Sequence, residues 1–295
     1  MKNRSVLHIL NDASARLRKA GVRNARCECE MILCNVTGCE KRADLYLSSI
    51  IINERQVRKI EKMIIARMNR MPIQYILNEA EFMGRRLAVR PGVFIPRPET
   101  EILVDEAIKL ANNGLPSIIN ILDIGTGSGG IAISLALSLT KSISRCKIIG
   151  LDISKRALSL ARENAALHGI TKDVRFVRSN IFNAIKNWRV KFDIIVSNPP
   201  YIASREVGRL QKEVLFEPRA ALDGRKDGLY YYRVIIDQAP KYLKPGGYLV
   251  MELGFGQAQK VMDMISERGS LSFCRIIADY SGIDRVIIAK REARV

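Results

Sequence analysis

The chain has 295 residues, 47% apolar and 26% charged, enough for one large domain and a small one with a sizeable core. Its formal net charge of +18 points toward acidic or nucleic-acid partners, and residues 1–90, with 18 Lys/Arg against 9 Asp/Glu, carry half of that excess. No apolar run is long enough for a membrane helix, and the start, MKNRSVLHILNDASARLRK, shows no secretory core before charges resume, so a cytoplasmic protein is expected. The six cysteines form no C-x-x-C pair and the two histidines, His8 and His168, stand far apart, which argues for reduced thiols and no metal site.

The first 70 residues read as helices. Val6, Leu7, Leu10, Ala13 and Leu17 recur at helical spacing, and in ARCECEMILCNVTG a stripe of Cys27, Met31 and Cys34 stops at Gly38. NERQVRKIEKMIIARMNR opens on an Asn cap and runs to Arg70, with Val57, Ile60, Ile64 and Met68 on one stripe, and Pro72 ends it. AEFMGRRLAVRPGVFIPRPETE then reads as a hairpin-like linker turning at Gly84. The expected division is a helical domain at 1–72, the linker at 73–98 and an α/β domain at 99–295.

From about residue 100 helix and strand alternate. TEILVDEAIKLAN, GGIAISLALSLT and SKRALSLARENAALHG are helical; IINILDIG, CKIIGLDIS, DVRFVRS, FDIIVSN and GYLVMELG are strands, and the tail FCRIIADYSGIDRVIIAKR offers two more. Apolar strands separated by helices specify a mainly parallel sheet, here of seven strands, covered on both faces. The DYSGID connection is too short for a parallel crossover, so the last strand should be antiparallel.

DIGTGSGG, Asp123 to Gly130, follows the first of these strands and opens a helix. Glycines let the backbone approach a ligand closely, and a helix N-terminus favours negative groups. Gly125, Gly127 and Gly130 satisfy the dinucleotide pattern G-x-G-x-x-G. Asp123 with Gly125, Gly127 and Gly129, and Thr126 and Ser128 between them, gives a second register that resembles the D-x-G-x-G-x-G motif of S-adenosylmethionine-dependent methyltransferases. Asp152 ends the next strand, placed to accept from both ribose hydroxyls; that identifies a nucleoside and suits NAD as well.

The strand FDIIVS stops on Asn198-Pro199-Pro200-Tyr201. Consecutive prolines donate no backbone hydrogen bond and do not continue a sheet. In an open α/β sheet, ligands bind beyond the carboxyl ends of the strands, so Asn198 should lie close to the glycines. N-P-P-Y resembles the motif of methyltransferases acting on planar, conjugated nitrogens. Such a nitrogen is a poor nucleophile, and Asn198 Oδ1 with the Pro199 carbonyl can each accept one of its N–H groups. The two prolines hold those acceptors rigidly, and Tyr201 supplies a flat face.

FIPRPETEILV, DIGTGSGGIAISLA, FDIIVSNPPYI and LFEPRAALDGRKDGLYYYR together resemble the HemK/PrmC family, over essentially the whole chain and including ARCECEMIL and RADLYL. The resemblance implies a class I S-adenosylmethionine-dependent methyltransferase, Rossmann-like, preceded by a small all-α domain. It implies that the acceptor is the glutamine of the Gly-Gly-Gln loop of class 1 peptide chain release factors, docked by the helical domain, with nucleic acid not required. Asn198, Pro199, Pro200 and Tyr201 match the glutamine-binding motif, and Gly125 to Gly129 with Asp152 match the cofactor motif. Asn180 stands where the family has an acid near the adenine, Ile181 where some relatives have an aromatic residue, and Asn78 where relatives often have glycine. Arg97, Glu99 and Glu252 are further candidates to line the site. Two other readings remain open: an adenine-N6 methylase of RNA or DNA, and a non-catalytic cofactor-binding scaffold.

Overall fold

The computed structural model describes residues 4–47, 50–113, 118–139 and 145–292. The helix end expected at Thr140, and the outermost residues of both expected end regions, lie outside these. The chain divides into two compact units, residues 1–79 with 211–216, and residues 80–210 with 217–295.

In the first unit β1 (Arg4–Ser5) leads into α1 (Val6–Lys19), followed by α2 (Ala25–Thr37), α3 (Asp44–Leu47), β2 (Ile51–Ile52), α4 (Glu54–Met68) and α5 (Ile73–Leu77). β1 pairs antiparallel with β2. Leu10 and Leu17 of α1, Cys29, Ile32 and Leu33 of α2, and Ile60 and Ile64 of α4 share one core. Two expectations fail here. Leu7 is exposed, and α2 buries Cys29, Ile32 and Leu33 while Met31 is exposed and Cys27 and Cys34 are half-buried. The helix carries apolar residues on more than one face, so period alone cannot choose between them; the face with the larger aliphatic groups removes more apolar area from water.

α4 has the expected Asn cap, closed into a box. Asn53 Oδ1 accepts from Gln56 N at 2.9 Å, and Gln56 Oε1 accepts from Asn53 N at 3.0 Å. The helix stops at Met68, short of Arg70, whose backbone is left-handed at φ 71°. The Arg70 guanidinium donates to the Gly21 carbonyl at 2.7 Å, and Pro72 starts α5 rather than ending α4. Asn78 closes α5 at φ 61°, the left-handed position that glycine or asparagine takes most readily. Residues 211–216 join this unit through Glu213, which accepts from Arg67 Nη1 at 3.2 Å and pairs with Arg70 Nη2 at 2.6 Å. The buried Arg67 also holds Glu28 at 2.5 Å.

A hairpin of β3 (Glu79–Phe82) and β4 (Arg85–Ala88) follows. Met83 and Gly84 both have positive φ, 52° and 65°, as a two-residue primed turn requires. The second unit then runs α6 (Thr100–Asn112), β5 (Ile118–Ile124), α7 (Gly130–Leu139), β6 (Arg145–Asp152), α8 (Lys155–Leu167), β7 (Val174–Arg178), β8 (Phe192–Ser197), α9 (Ser204–Val207), α10 (Tyr230–Tyr242), β9 (Leu243–Glu252), α11 (Ala258–Arg268), β10 (Leu271–Ala278) and β11 (Asp284–Arg291). Seven strands form one sheet in the order β10-β11-β9-β8-β5-β6-β7. β8, β5, β6, β7 and β9 run parallel, whereas β11 is antiparallel to both β9 and β10.

Every residue of β8 is buried, with Ile194 in one apolar layer and Ile195 in the other. That is the packing of a central strand covered on both faces, and it explains the uninterrupted apolar run. Among the described residues no helix is long and apolar enough to cross a membrane.

Candidate functional site

Strand register assembles the site. Ile124 is the partner of Leu151 on β6 and of Ser197 on β8, and Ser197 is the partner of Met251 on β9. One residue further on, Asp152, Gly125, Asn198 and Glu252 therefore form a row along the carboxyl edge of the sheet. A Cβ built on Gly125 would stand 3.8 Å from the Asn198 carbonyl oxygen, so the glycine turn and the Pro-Pro corner are direct neighbours.

Backbone conformation separates the glycines of the turn from the glycine of the helix. Gly125, Gly127 and Gly129 have φ of 78°, 56° and 87°, while Gly130 has no positive φ and begins α7. The alternating spacing behind Asp123 is thus the one the turn needs. Gly127 N donates to Asp152 Oδ2 at 2.9 Å and Ser154 N donates to Asp152 Oδ1 at 2.8 Å. Each carboxylate oxygen keeps a second lone pair for a hydroxyl donor. Burial raises the Asp152 carboxyl above its ordinary range, opposed by those amide donors.

Asp123 is fully buried. Its Oδ2 accepts from Thr126 Oγ1 at 2.6 Å, while Oδ1 has no hydrogen-bond partner among the described residues. Burial pushes this carboxyl up to about 7, with the Asp152 charge adding to the shift. A buried carboxylate oxygen left without a donor is costly, and a ligand donor or water in the cradle would relieve it. The site thus fits a cofactor that carries both ribose hydroxyls and further donors.

The turn after β7 borders Asp152, because Ser179 N donates to the Asp152 carbonyl at 2.9 Å. Ser179 Oγ donates to the Ile181 carbonyl at 2.7 Å and accepts from Ala184 N at 3.0 Å, which holds Ile181 at φ 50°. Asn180 is exposed and Ile181 is half-buried there.

Two features of this frame escape sequence reading. Asn164 on α8 is wholly buried, and its amide nitrogen donates to Ser128 O at 2.9 Å and Ala88 O at 3.0 Å, while its oxygen accepts from Ala88 N at 2.7 Å. It joins the glycine turn to the hairpin. Thr100, at the start of α6, donates to Glu252 Oε2 at 2.5 Å and accepts from Asn198 Nδ2 at 3.0 Å. The segment I-P-R-P-E-T-E was visible in the sequence, but nothing local marked its threonine as the residue that reaches the corner.

Glu252 is 1% exposed and also accepts from Tyr201 Oη at 3.3 Å. Burial pushes its carboxyl up to about 7 and raises the Tyr201 phenol well above its usual value. Glu252 thus joins Thr100 to Tyr201 beneath the Pro-Pro corner. Arg97 is held by the buried Glu217 and lies over the Phe94 ring, and Glu99 is the exposed residue preceding α6.

The seven-stranded sheet with its antiparallel β11, and the glycine cradle at the end of β5, define a class I S-adenosylmethionine-dependent methyltransferase. Family models agree: one described as a methyltransferase domain matches residues 116–284, and one described as the PrmC N-terminal domain matches 8–77. The chain is 40% identical over 285 residues to the release factor glutamine methyltransferase of Geobacter sulfurreducens, covering 96% of this chain and 95% of that one. It is 41% identical over 287 residues to that of Fusobacterium nucleatum, covering 97% and 78%. Among solved structures, a methyltransferase from Pyrococcus furiosus superposes with a TM-score of 0.50 at 19% identity, covering 82% of this chain and all of that one. A 16S rRNA guanine-N2 methyltransferase of T. thermophilus in complex with AdoMet and guanosine gives 0.51 at 18%, covering 72% and 50%; both establish the shared fold. The chain belongs to the release factor glutamine methyltransferase family.

Proposed function

We propose that this enzyme transfers a methyl group from S-adenosylmethionine to the side-chain amide nitrogen, N5, of the glutamine in the Gly-Gly-Gln motif of class 1 peptide chain release factors. It acts in the cytoplasm on the factor itself, with no nucleic acid required. The observation that carries the reading is the tethering of Asn198. Its NH2 end donates to Thr100, and among the described residues Oδ1 has no hydrogen-bond partner.

When bound, S-adenosylmethionine supplies a sulfonium-activated, electrophilic methyl group. Asp123, Gly125, Thr126, Gly127, Ser128, Gly129, Asp152, Asn180, Ile181 and Asn198 would hold it, Asp152 by accepting from the ribose hydroxyls. Asn198 Oδ1 and the Pro199 carbonyl each accept one N–H of the target amide. This orients the nitrogen and draws positive charge from it as the new bond forms. Pro199 and Pro200 keep both acceptors fixed, and the Tyr201 ring lies against the planar amide. No strong base is needed if the proton departs late to water.

N-P-P-Y by itself also suits an exocyclic base amine, and that alternative has the +18 charge in its favour. The family membership favours the protein acceptor. The test is a labelled methyl-transfer assay offering a release factor, its Gly-Gly-Gln to Gly-Gly-Ala variant, and total RNA. Label confined to the intact factor is the expected result; label in RNA alone would overturn it.

A further inference from the structure

The row along the sheet edge places a buried carboxylate two hydrogen bonds away from the methyl-accepting corner. We propose that Glu252, acting through the Thr100 hydroxyl, is a positioning residue that fixes which end of the Asn198 amide faces the substrate. The inference rests on the reading of Asn198 given above.

The argument is one of hydrogen-bond direction. An ionised carboxylate only accepts. Glu252 Oε2 lies 2.5 Å from Thr100 Oγ1, so the single threonine proton is spent on Glu252. The Thr100 oxygen can then only accept from Asn198, at 3.0 Å, and the NH2 end must point toward it. Oδ1, with no hydrogen-bond partner among the described residues, is left as an acceptor. Had the amide turned over, the target NH2 group would meet another NH2 group, donor against donor, and could not be held.

Protonating Glu252 removes the constraint. The carboxylic acid can donate to Thr100, Thr100 can donate to Asn198 Oδ1, and the reversed amide becomes competitive. The groups around Glu252 are Thr100 of α6, preceded by Glu99; Tyr201, which donates to Oε1 at 3.3 Å; Tyr232 of α10, which donates to the Glu252 backbone carbonyl at 2.9 Å; and Arg285 of β11, itself paired with Asp279. Burial outweighs the two hydroxyl donors and the Arg285 charge and holds the carboxyl at about 7, so the device switches within the neutral range. Tyr201 reports to the same carboxylate, which joins both side chains of the corner to one charge.

The experiment uses the full-length enzyme with intact release factor, comparing wild type with Thr100→Val, Thr100→Ser and Glu252→Gln. In single-turnover assays, Thr100→Val should lower the transfer rate about 10-fold or more with cofactor affinity unchanged, and Thr100→Ser should restore most of it. The wild-type rate should fall below a pH near 7, and Glu252→Gln should lose that acidic limb. An activity-free readout accompanies these: the Asn198 side-chain NH2 resonances of the free enzyme should titrate with the same midpoint in wild type and stay flat in Glu252→Gln. A Thr100→Val enzyme as fast as wild type, or an Asn198 amide that titrates unchanged without Glu252, overturns the relay. Failure of the wild-type enzyme to label the release factor would instead overturn the functional reading, and the resonance titration would still decide the relay.

Discussion

Gly228 lies so close beneath Tyr201 that a Cβ on it would stand 2.3 Å from the Tyr201 carbonyl oxygen. Gly224 is packed in the same way, with a Cβ position 2.7 Å from the Pro200 carbonyl. Between these contacts Ile202 N donates to Leu222 O at 3.0 Å and Gly224 N to Ile202 O at 2.7 Å, so residues 222–228 form a backbone splint along the Pro-Pro corner. Gly228→Ala should displace the corner against backbone atoms that cannot yield, and its φ of 77° adds strain. The expected outcome is a loss in transfer rate on the order of 10²-fold, as a displacement of about 1 Å produces, with cofactor binding retained. Calorimetry and single-turnover kinetics on one preparation separate the two effects.

Asn198→Ala keeps the corner and removes one acceptor aimed at the target nitrogen. Its single-turnover rate should fall about 10²-fold with little change in cofactor affinity. Tyr201→Phe should cost less than Tyr201→Ala if the flat ring is the main contribution. The structure adds a second expectation. Removing the phenol takes one donor from Glu252 Oε1, so the acidic limb of the Tyr201→Phe enzyme should move to higher pH. A Phe variant as damaging as Asn198→Ala would point to the phenol in proton transfer.

Stability should decline as pH rises through the neutral range. Asp123 and Glu252 both have carboxyls raised by burial to about 7. Between roughly pH 4 and 7 the folded state then binds more protons than the unfolded one, so their contribution is fully present below the ordinary carboxylate range and lost as pH passes 7. Asp123→Asn removes one of the two groups. It should flatten the dependence of Tm on pH between 4.5 and 8 and stabilise the free enzyme at pH 8 by on the order of 1–3 kcal/mol, while weakening cofactor binding. A steeper profile in the variant would contradict the assignment.

In the helical unit, Glu213 is held by Arg67 and Arg70, and the Arg67 side chain is only 7% exposed. Glu213→Ala takes one of two carboxylates from the buried Arg67, which keeps Glu28, and removes the carboxylate partner of the part-exposed Arg70, so it should cost about 1–3 kcal/mol. The exposed pair Arg90–Glu163, at 51% and 48%, is the control: Arg90→Ala should cost no more than about 1 kcal/mol. Urea titrations of the two variants test the contrast, and amide exchange should show faster opening of α4 in Glu213→Ala alone.

Local chemistry made much of this protein legible in its sequence. The alternation of apolar strands and helices, the short link before β11, the Asn53 cap and the turn at Gly84 are each decided within a few residues by period, capping or backbone conformation, and the structure has them. The position of Asn198 at the carboxyl edge follows from the strand it ends. Other features depend on what the chain packs against. Which face of α2 is buried was undecidable, because two stripes were apolar and only the neighbouring helices choose. Two glycine registers fit one string, and only the structure shows that Gly125, Gly127 and Gly129 take positive φ while Gly130 begins α7. The Thr100 hydroxyl reaches Asn198 and Glu252 across 98 and 152 positions of sequence, and Glu213 reaches Arg67 across 146. No local pattern encodes such pairs: each side chain is ordinary where it stands, and its role arises from strand register and from burial that leaves it one partner.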